Sequence, residues 1–271
     1  VIKKYAYAIE YDAIDPLQMK PNMENKIVEN LFTAGQVNGT SGYEEAAGQG
    51  LMAGINASLK IDGKAPFVLR RDQAYIGVMI DDLCTKGTNE PYRLLTSRAE
   101  YRLLLRHDNA DQRLLELGYQ VGAVSDKRHQ QFQDKMKQIE EMKEELSQLR
   151  IKPGDEINAY LETLGFDPLT RGCSVLELLK RPKVTIQGLE PITGKHVDGE
   201  IATSIEIDCK YQGYIEKAKR DARHLQQMES VSLPADLDYA NMDNLSLEAR
   251  QKLDQIRPST LGQASRISGI N

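Results

Sequence analysis

Residues 31–59 read Leu31-Phe-Thr-Ala-Gly-Gln-Val-Asn-Gly-Thr-Ser-Gly-Tyr-Glu-Glu-Ala-Ala-Gly-Gln-Gly-Leu-Met-Ala-Gly-Ile-Asn-Ala-Ser-Leu59. The opening Leu31–Ala34 is short and apolar, as a strand would be. Gly35–Gly42 is a glycine-rich loop, and Tyr43–Leu59 has the spacing of a helix packed with small residues. Gly48, Gly50 and Gly54 each cost about 1 kcal/mol in a helix interior. So many of them predict close packing by a sheet or a ligand. The start of such a helix offers unpaired N–H groups and a partial positive charge. Gln36 and Asn38 add amide donors and acceptors, and Gly35 and Gly42 admit a ligand to the backbone. Phosphates, ribityl oxygens or a pyrimidine-dione edge would suit that arrangement. On glycine content alone, the tight turn of any α/β fold is the favoured reading, because a glycine-rich loop is weak evidence.

Outward from this element, Ala6–Tyr11 has strand character and Asp15-Pro16 reads as a turn. Lys60–Pro66 is polar and punctuated, which places a boundary there. Ala74–Ile80 reads as another strand. Tyr92–Thr96 and Tyr101–Arg106 read as a hairpin or, alternatively, as a helix with Arg98, Arg102 and Arg106 at i, i+4, i+8. Between Tyr92 and Arg106 lie Arg93, Arg98, Arg102 and Arg106 against one acid, Glu100. The local charge is thus +3 in a chain that is −5 overall (35 basic, 40 acidic residues). Arginine forks suit phosphates, and the interleaved Tyr92 and Tyr101 can stack on unpaired bases. The competing reading pairs these arginines with Asp81, Asp82, Asp108 or Asp111.

The remainder is helical. Asn109-Ala-Asp-Gln112 resembles a capping box for a helix ending near Gly118. Ser125 can cap a long helix to about Arg150, with Phe132, Met136, Ile139, Met142, Leu146 and Leu149 along one seam. Shorter helices are expected at Glu156–Leu164 and Val175–Leu179, then a long one over Gly199–Met228. Leu247–Ile256 and Thr260–Ile267 come last. The chain is therefore expected to be α+β and mostly helical. Its expected domains are 1–65, a mixed helical and hairpin domain at 66–204 with a basic face, and a helical module at 205–271.

With 271 residues, 40% apolar and 28% charged, the composition is that of a globular chain with a sizeable core. No apolar run approaches the roughly 18 residues of a membrane span. Cys84, Cys173 and Cys209 form no CxxC pair and have no histidine at a zinc spacing, so no metal site is expected. Reduced thiols fit a cytoplasmic protein. No recognition helix follows Thr260–Gly269, so DNA binding through a helix-turn-helix is not expected. The start at Val1 without Met, and the end within a helical pattern, suggest a fragment of a longer protein.

The full string Phe32–Asn56 resembles the MnmG/GidA family of bacterial tRNA wobble-uridine modification enzymes. The likeness continues through Gln73-Ala-Tyr-Ile-Gly-Val78, Asp81-Asp-Leu-Cys-Thr85, Glu90-Pro-Tyr-Arg93 and Thr96-Ser-Arg-Ala-Glu-Tyr-Arg-Leu103. It resumes at Lys210-Tyr-Gln-Gly-Tyr-Ile215 and Arg257-Pro-Ser-Thr-Leu-Gly-Gln-Ala-Ser-Arg-Ile-Ser-Gly269. It touches almost the whole chain and is least distinct between 151 and 200.

That resemblance implies the end of a glutathione-reductase-like FAD-binding α/β domain, followed by a largely α-helical C-terminal region. It implies FAD as cofactor and NADH as reductant. Methylene-tetrahydrofolate would supply the one-carbon unit, and glycine or ammonium the amine. The product would be a carboxymethylaminomethyl or aminomethyl group on C5 of the wobble uridine, made together with the GTPase MnmE by a homodimer. Gln36 matches the family's FAD-binding glutamine, with Gly35, Asn38 and Gly42 beside it. The arginines 93, 98, 102 and 106 would face the tRNA anticodon region, and the C-terminal helical module would dock the GTPase.

The family's N-terminal GxGxxG, NADH-binding region and implicated cysteines are absent from this sequence, so no catalytic residue is assigned. A non-catalytic tRNA- and partner-binding module is the alternative. A folate- and FAD-dependent tRNA methyltransferase is a third reading; that family shares the flavin loop but not the long helical C-terminal region.

Overall fold

Apolar side chains recurring at helical spacing dominate this chain, and the computed structural model, which describes residues 11–267, 269 and 270, is accordingly built almost wholly of helices. In chain order these are α1 (Tyr43–Ile61), α2 (Tyr75–Lys86), α3 (Ala110–Gln120), α4 (Asp126–Gln148), α5 (Asp155–Thr163), α6 (Val175–Leu179), α7 (Ile186–Thr193), α8 (Gly199–Glu229), α9 (Leu247–Ile256) and α10 (Leu261–Ser265). One short antiparallel pair joins β1 (Arg150–Ile151) to β2 (Cys173–Ser174), with Arg150 opposite Ser174. Most of the strand expected at Ala6–Tyr11 lies outside the described residues.

The chain packs as two units. Residues 1–105 and 220–271 form one, and residues 106–219 the other. The boundaries expected at 65 and 204 follow changes in sequence texture; the change in packing comes at 105 and 219 instead.

The second unit is an apolar core wrapped by helices. Ser125 caps α4 by accepting from the Arg128 N–H. The seam expected on α4 buries Phe132, Ile139 and Leu146. Ile139 and Leu146 join Ile157 and Leu161 of α5, Leu178 and Leu179 of α6, Leu189 of α7 and Ile205 of α8 in one cluster. The long seam therefore packs within its own chain. Ser174 and Glu177 form a full capping box on α6. Helix α7 was not legible, because Gly188 and Pro191 disguise it. It is started by Thr185, which accepts from the Gly188 N–H at 3.0 Å. Gly188 is required there, since a Cβ would lie 2.1 Å from the Tyr160 hydroxyl.

In the first unit α1 packs on α2. Gly48 meets Ile76 and Met79 of α2, so the close neighbour expected of the helical glycines is, at this position, another helix. Gly50 and Gly54 face open space among the described residues. A second cluster gathers Tyr239, Leu253, Ile256, Ala264 and Ile267 beside α9 and α10.

Four local expectations are corrected. Leu31–Ala34 is not a strand: Phe32 makes a single bridge to Glu24, and no ladder follows. Ala74–Ile80 is not a strand but the first half of α2. Its β-branched Ile76, Val78 and Ile80 suggested alternation, but Gly77–Ile80 and Asp82–Thr85 are buried in unbroken runs, as in a helix covered on almost every side. Gly77 lets that helix sit against the Leu69 and Arg70 carbonyls, where a Cβ would come within 2.5 Å. Finally, residues 92–106 are neither hairpin nor helix. They form an irregular loop with one 3-10 turn at Thr96–Arg98. Asn109 also fails to cap α3, because its side chain accepts from Arg113 Nε instead.

Candidate functional site

The glycine-rich loop is organised by a glutamine that the sequence reading passed over. Gln49 of α1 is fully buried. Its Oε1 accepts from the Gly35 N–H at 3.0 Å and from Asn38 Nδ2 at 2.8 Å, and its Nε2 donates to Thr40 Oγ1 at 3.1 Å. Asn38 Nδ2 also donates to the Thr33 carbonyl. Gly35–Asn38 is thereby wound into one 3-10 turn that ends in left-handed Gly39. Asn38 and Gly35 are buried parts of the loop's own scaffold. Gln36 is exposed; its carbonyl accepts from the Gly39 N–H at 3.0 Å, and its side chain has no hydrogen-bond partner among the described residues.

The start of α1 is already compensated. Glu44 and Glu45 sit in its first turn. Glu45 is 1% exposed. Burial opposes its ionisation, but the Leu94 N–H at 2.8 Å and Arg93 Nε at 3.1 Å hold the carboxyl below the usual range. Its Oε2 has no hydrogen-bond partner among the described residues and lies over Gly42, where a Cβ would stand 1.8 Å away. A phosphate at this helix end would meet two carboxylates. An uncharged hydrogen-bonding edge reaching Gln36 fits; a pyrophosphate on the α1 N-terminus does not.

The arginine segment is bonded to this same loop. The Tyr92 N–H donates to the Gly39 carbonyl at 2.8 Å, and the Ser41 N–H to the Tyr92 carbonyl. Tyr92 is buried, and its hydroxyl donates to Asp82 Oδ2 at 3.0 Å. Burial and the Asp82 carboxylate together push that phenol far up. The Arg98 guanidinium lies 4.4 Å over the Tyr92 ring, and Arg98 Nε donates to the Arg93 carbonyl at 2.9 Å.

The four arginines therefore have different fates. Arg93 pairs with Glu44 and Glu45. Arg106 belongs to the second unit, where Asp108 lies 3.1 Å and Asp208 3.7 Å away. Arg98 and Arg102 are exposed and have no carboxylate partner among the described residues. The acids offered as competing partners are mostly engaged elsewhere. Asp81 takes Arg71 and Arg266, Asp82 takes Arg71 and Lys86, and Asp111 takes Lys135.

Arg71 is the other residue missed from the sequence. The sequence reading gave it no role, yet its side chain is only 2% exposed. A helix carrying Asp81-Asp82 on its buried side was the available signal: buried carboxylates need a cation. The thiols stay outside this chemistry. Cys84 is buried and burial raises its pKa; Cys173 and Cys209 are raised for the same reason. Among the described residues, no cluster suits a metal ion and no helix is long and apolar enough to cross a membrane. A cavity of about 830 Å³ borders the loop only at Gly39, and Gln36 does not line it.

Comparison with known proteins extends these observations. Residues 1–65 match a family model described as glucose inhibited division protein A. Residues 126–219 match the MnmG/GidA C-terminal helical domain, and residues 221–271 the C-terminal helical bundle of the same enzyme. The chain is 54% identical over 269 residues to the tRNA uridine 5-carboxymethylaminomethyl modification enzyme MnmG of Acholeplasma laidlawii, covering 99% of this chain and 44% of that one. It is 53% identical to the MnmG of Lactobacillus acidophilus, covering 98% and 42%. The crystal structure of Aquifex aeolicus GidA superposes with a TM-score of 0.81 at 41% identity, over 96% of this chain and 41% of that one. The chain thus spans less than half the length of the relatives it matches. Three matched models along one chain, with a shared fold at high identity, establish that it belongs to the MnmG/GidA family of tRNA-modifying enzymes.

Proposed function

We propose that this chain is the cofactor-edge and tRNA-facing part of a cytoplasmic enzyme that modifies C5 of the wobble uridine. In this reading the whole protein uses FAD and NADH. It takes its one-carbon unit from methylene-tetrahydrofolate and works as a homodimer with the GTPase MnmE. Bound flavin supplies the redox chemistry. This chain's residues bind and orient. Gln36 offers its amide to the flavin's polar edge, and Gly35, Asn38 and Gly42 shape the loop that carries it. Arg98 and Arg102 meet anticodon phosphates, and Tyr92 holds Arg98 in place from below. Arg93 and Arg106 support the loop and the second unit through their acids.

The observation that carries this reading is the backbone pairing of Tyr92 with Gly39 and Ser41. It joins the segment suited to a cofactor edge to the segment suited to RNA. The same juxtaposition is compatible with a non-catalytic tRNA- and partner-binding role for residues 1–271 alone. The experiment is tRNA binding by the full-length protein at fixed salt, with flavin absorbance recorded in parallel. Arg98→Ala with Arg102→Ala is expected to weaken tRNA binding and flatten its salt dependence while flavin stays bound. Gln36→Ala is expected to lower flavin retention and leave tRNA binding intact. Unchanged tRNA affinity in the double variant overturns the RNA assignment.

A further inference from the structure

The loop that carries Arg98 has little of its own to hold it. Between Tyr92 and Glu100 there is one 3-10 turn, and Ala99 is its small apolar anchor against Val78 and Leu105. What closes it is the guanidinium of Arg71. Arg71 Nη2 donates to the Arg98 carbonyl at 3.1 Å and to Glu100 Oε1 at 2.8 Å, and Nε donates to Glu100 Oε2 at 3.2 Å. On the α2 side, Nη1 reaches Asp82 at 2.7 Å, Asp81 at 3.0 Å and the Val78 carbonyl at 3.2 Å. Asp82 in turn accepts the Tyr92 hydroxyl, and the Tyr92 ring supports the Arg98 guanidinium. Both ends of Arg98, backbone and side chain, therefore trace back to one buried fork.

We propose that Arg71 is a positioning residue for RNA recognition: it clamps the Arg98–Glu100 backbone onto α2 and keeps the Glu100 carboxylate away from the arginines that meet phosphate. The proposal rests on the RNA reading of Arg98. A lysine keeps the charge but cannot span these acceptors, because only a planar guanidinium presents five donors in a fixed fork. Arg71 is buried beneath the loop and bonded to it, so any effect on RNA binding passes through the loop. Arg266 provides an internal control. It forks onto Asp81 at 2.6 and 2.8 Å and pairs with Glu229, but has no hydrogen bond to residues 92–100.

The test is made on the full-length protein by measuring tRNA Kd against salt, with thermal unfolding alongside. Arg98→Ala is expected to weaken binding about tenfold and to lower the salt slope by about one. Arg71→Lys is expected to do the same, although no phosphate contact has been removed. The double variant should bind no more weakly than the weaker single one. Arg266→Lys should lower the unfolding temperature and leave Kd unchanged.

Glu100→Gln decides the matter by sign, including the case in which Arg71→Lys does not fold. It removes a negative charge near the RNA-facing arginines, so charge alone would tighten binding. A role in the clamp makes binding weaker instead. If Arg98→Ala weakens binding but Arg71→Lys leaves it unchanged or Glu100→Gln tightens it, the positioning role is overturned. If Arg98→Ala binds as well as the parent, the RNA reading of the loop fails first and the clamp loses its purpose.

Discussion

The two units are held together by different physics. The second is an oily core: Leu161, Leu178, Leu179, Leu189 and Ile205 meet at the centre of five helices. The first brings its functional loops together with buried polar groups: Gln49 under the glycine loop, and Arg71 and Asp82 under the arginine loop. Apolar packing is non-directional and tolerates volume-conserving change. A buried ion network is directional, and losing a member leaves the groups it bonded directly without a partner. A loop that must present an arginine at one place gains from the second kind of support, since each bond fixes an angle as well as a distance.

Four measurements test that contrast, the first three in order of expected size. Arg71→Met leaves Asp81, Asp82 and Glu100 without their shared cation. It is expected to cost about 3–5 kcal/mol. Hydrogen exchange should show the loss in α2 and residues 92–100, with the second unit unaffected. Leu161→Ala opens a cavity in the apolar core and is expected to cost roughly 2–5 kcal/mol. Its loss should be confined to residues 106–219. Spread of either loss into the other unit would mean that the two supports are not separate.

Gly50→Ala places a methyl on an open face of α1. Residues 1–271 are expected to gain roughly 1 kcal/mol in chemical denaturation. The same change in the full-length protein should show whether anything packs there, because a covered face turns the gain into a loss.

The fourth is the pH dependence of Glu24. Lys60, the Asn30 N–H and Lys20 bring its pKa from 4.5 to about 2, against the opposing effect of burial. A depressed carboxyl stabilises the fold fully above its unfolded value and loses that contribution as pH falls through about 2. Glu24→Gln should therefore flatten the fall in melting temperature below pH 4.5. An unchanged acid limb would show that this carboxylate is not held as described.

Legibility in the sequence followed the same divide. The seam from Phe132 to Leu149, the cap at Ser125 and the helix at Val175–Leu179 were readable because burial of apolar faces writes itself at helical spacing. Helix α2 was misread because Ile76, Val78 and Ile80 also satisfy a period of two; continuing the window through Leu83 and Cys84 to Gly87 would have shown the helical period and its stop. The loops were recognisable as motifs but not as structures.

Residue types and spacing by themselves determined the helical character, the family resemblance and the placing of Gln36 and of the four arginines 93, 98, 102 and 106 among the candidate residues. Tertiary structure alone decided that Asn38 turns inward to Gln49, that Arg93 belongs to Glu45, and that Arg106 belongs to the second unit. It also decided that Arg71, 27 residues before Arg98, carries the loop. The reason is physical. Hydrophobic periodicity is a local property of the chain, whereas the partner of a buried charge or amide is chosen by whatever the fold brings within 3 Å.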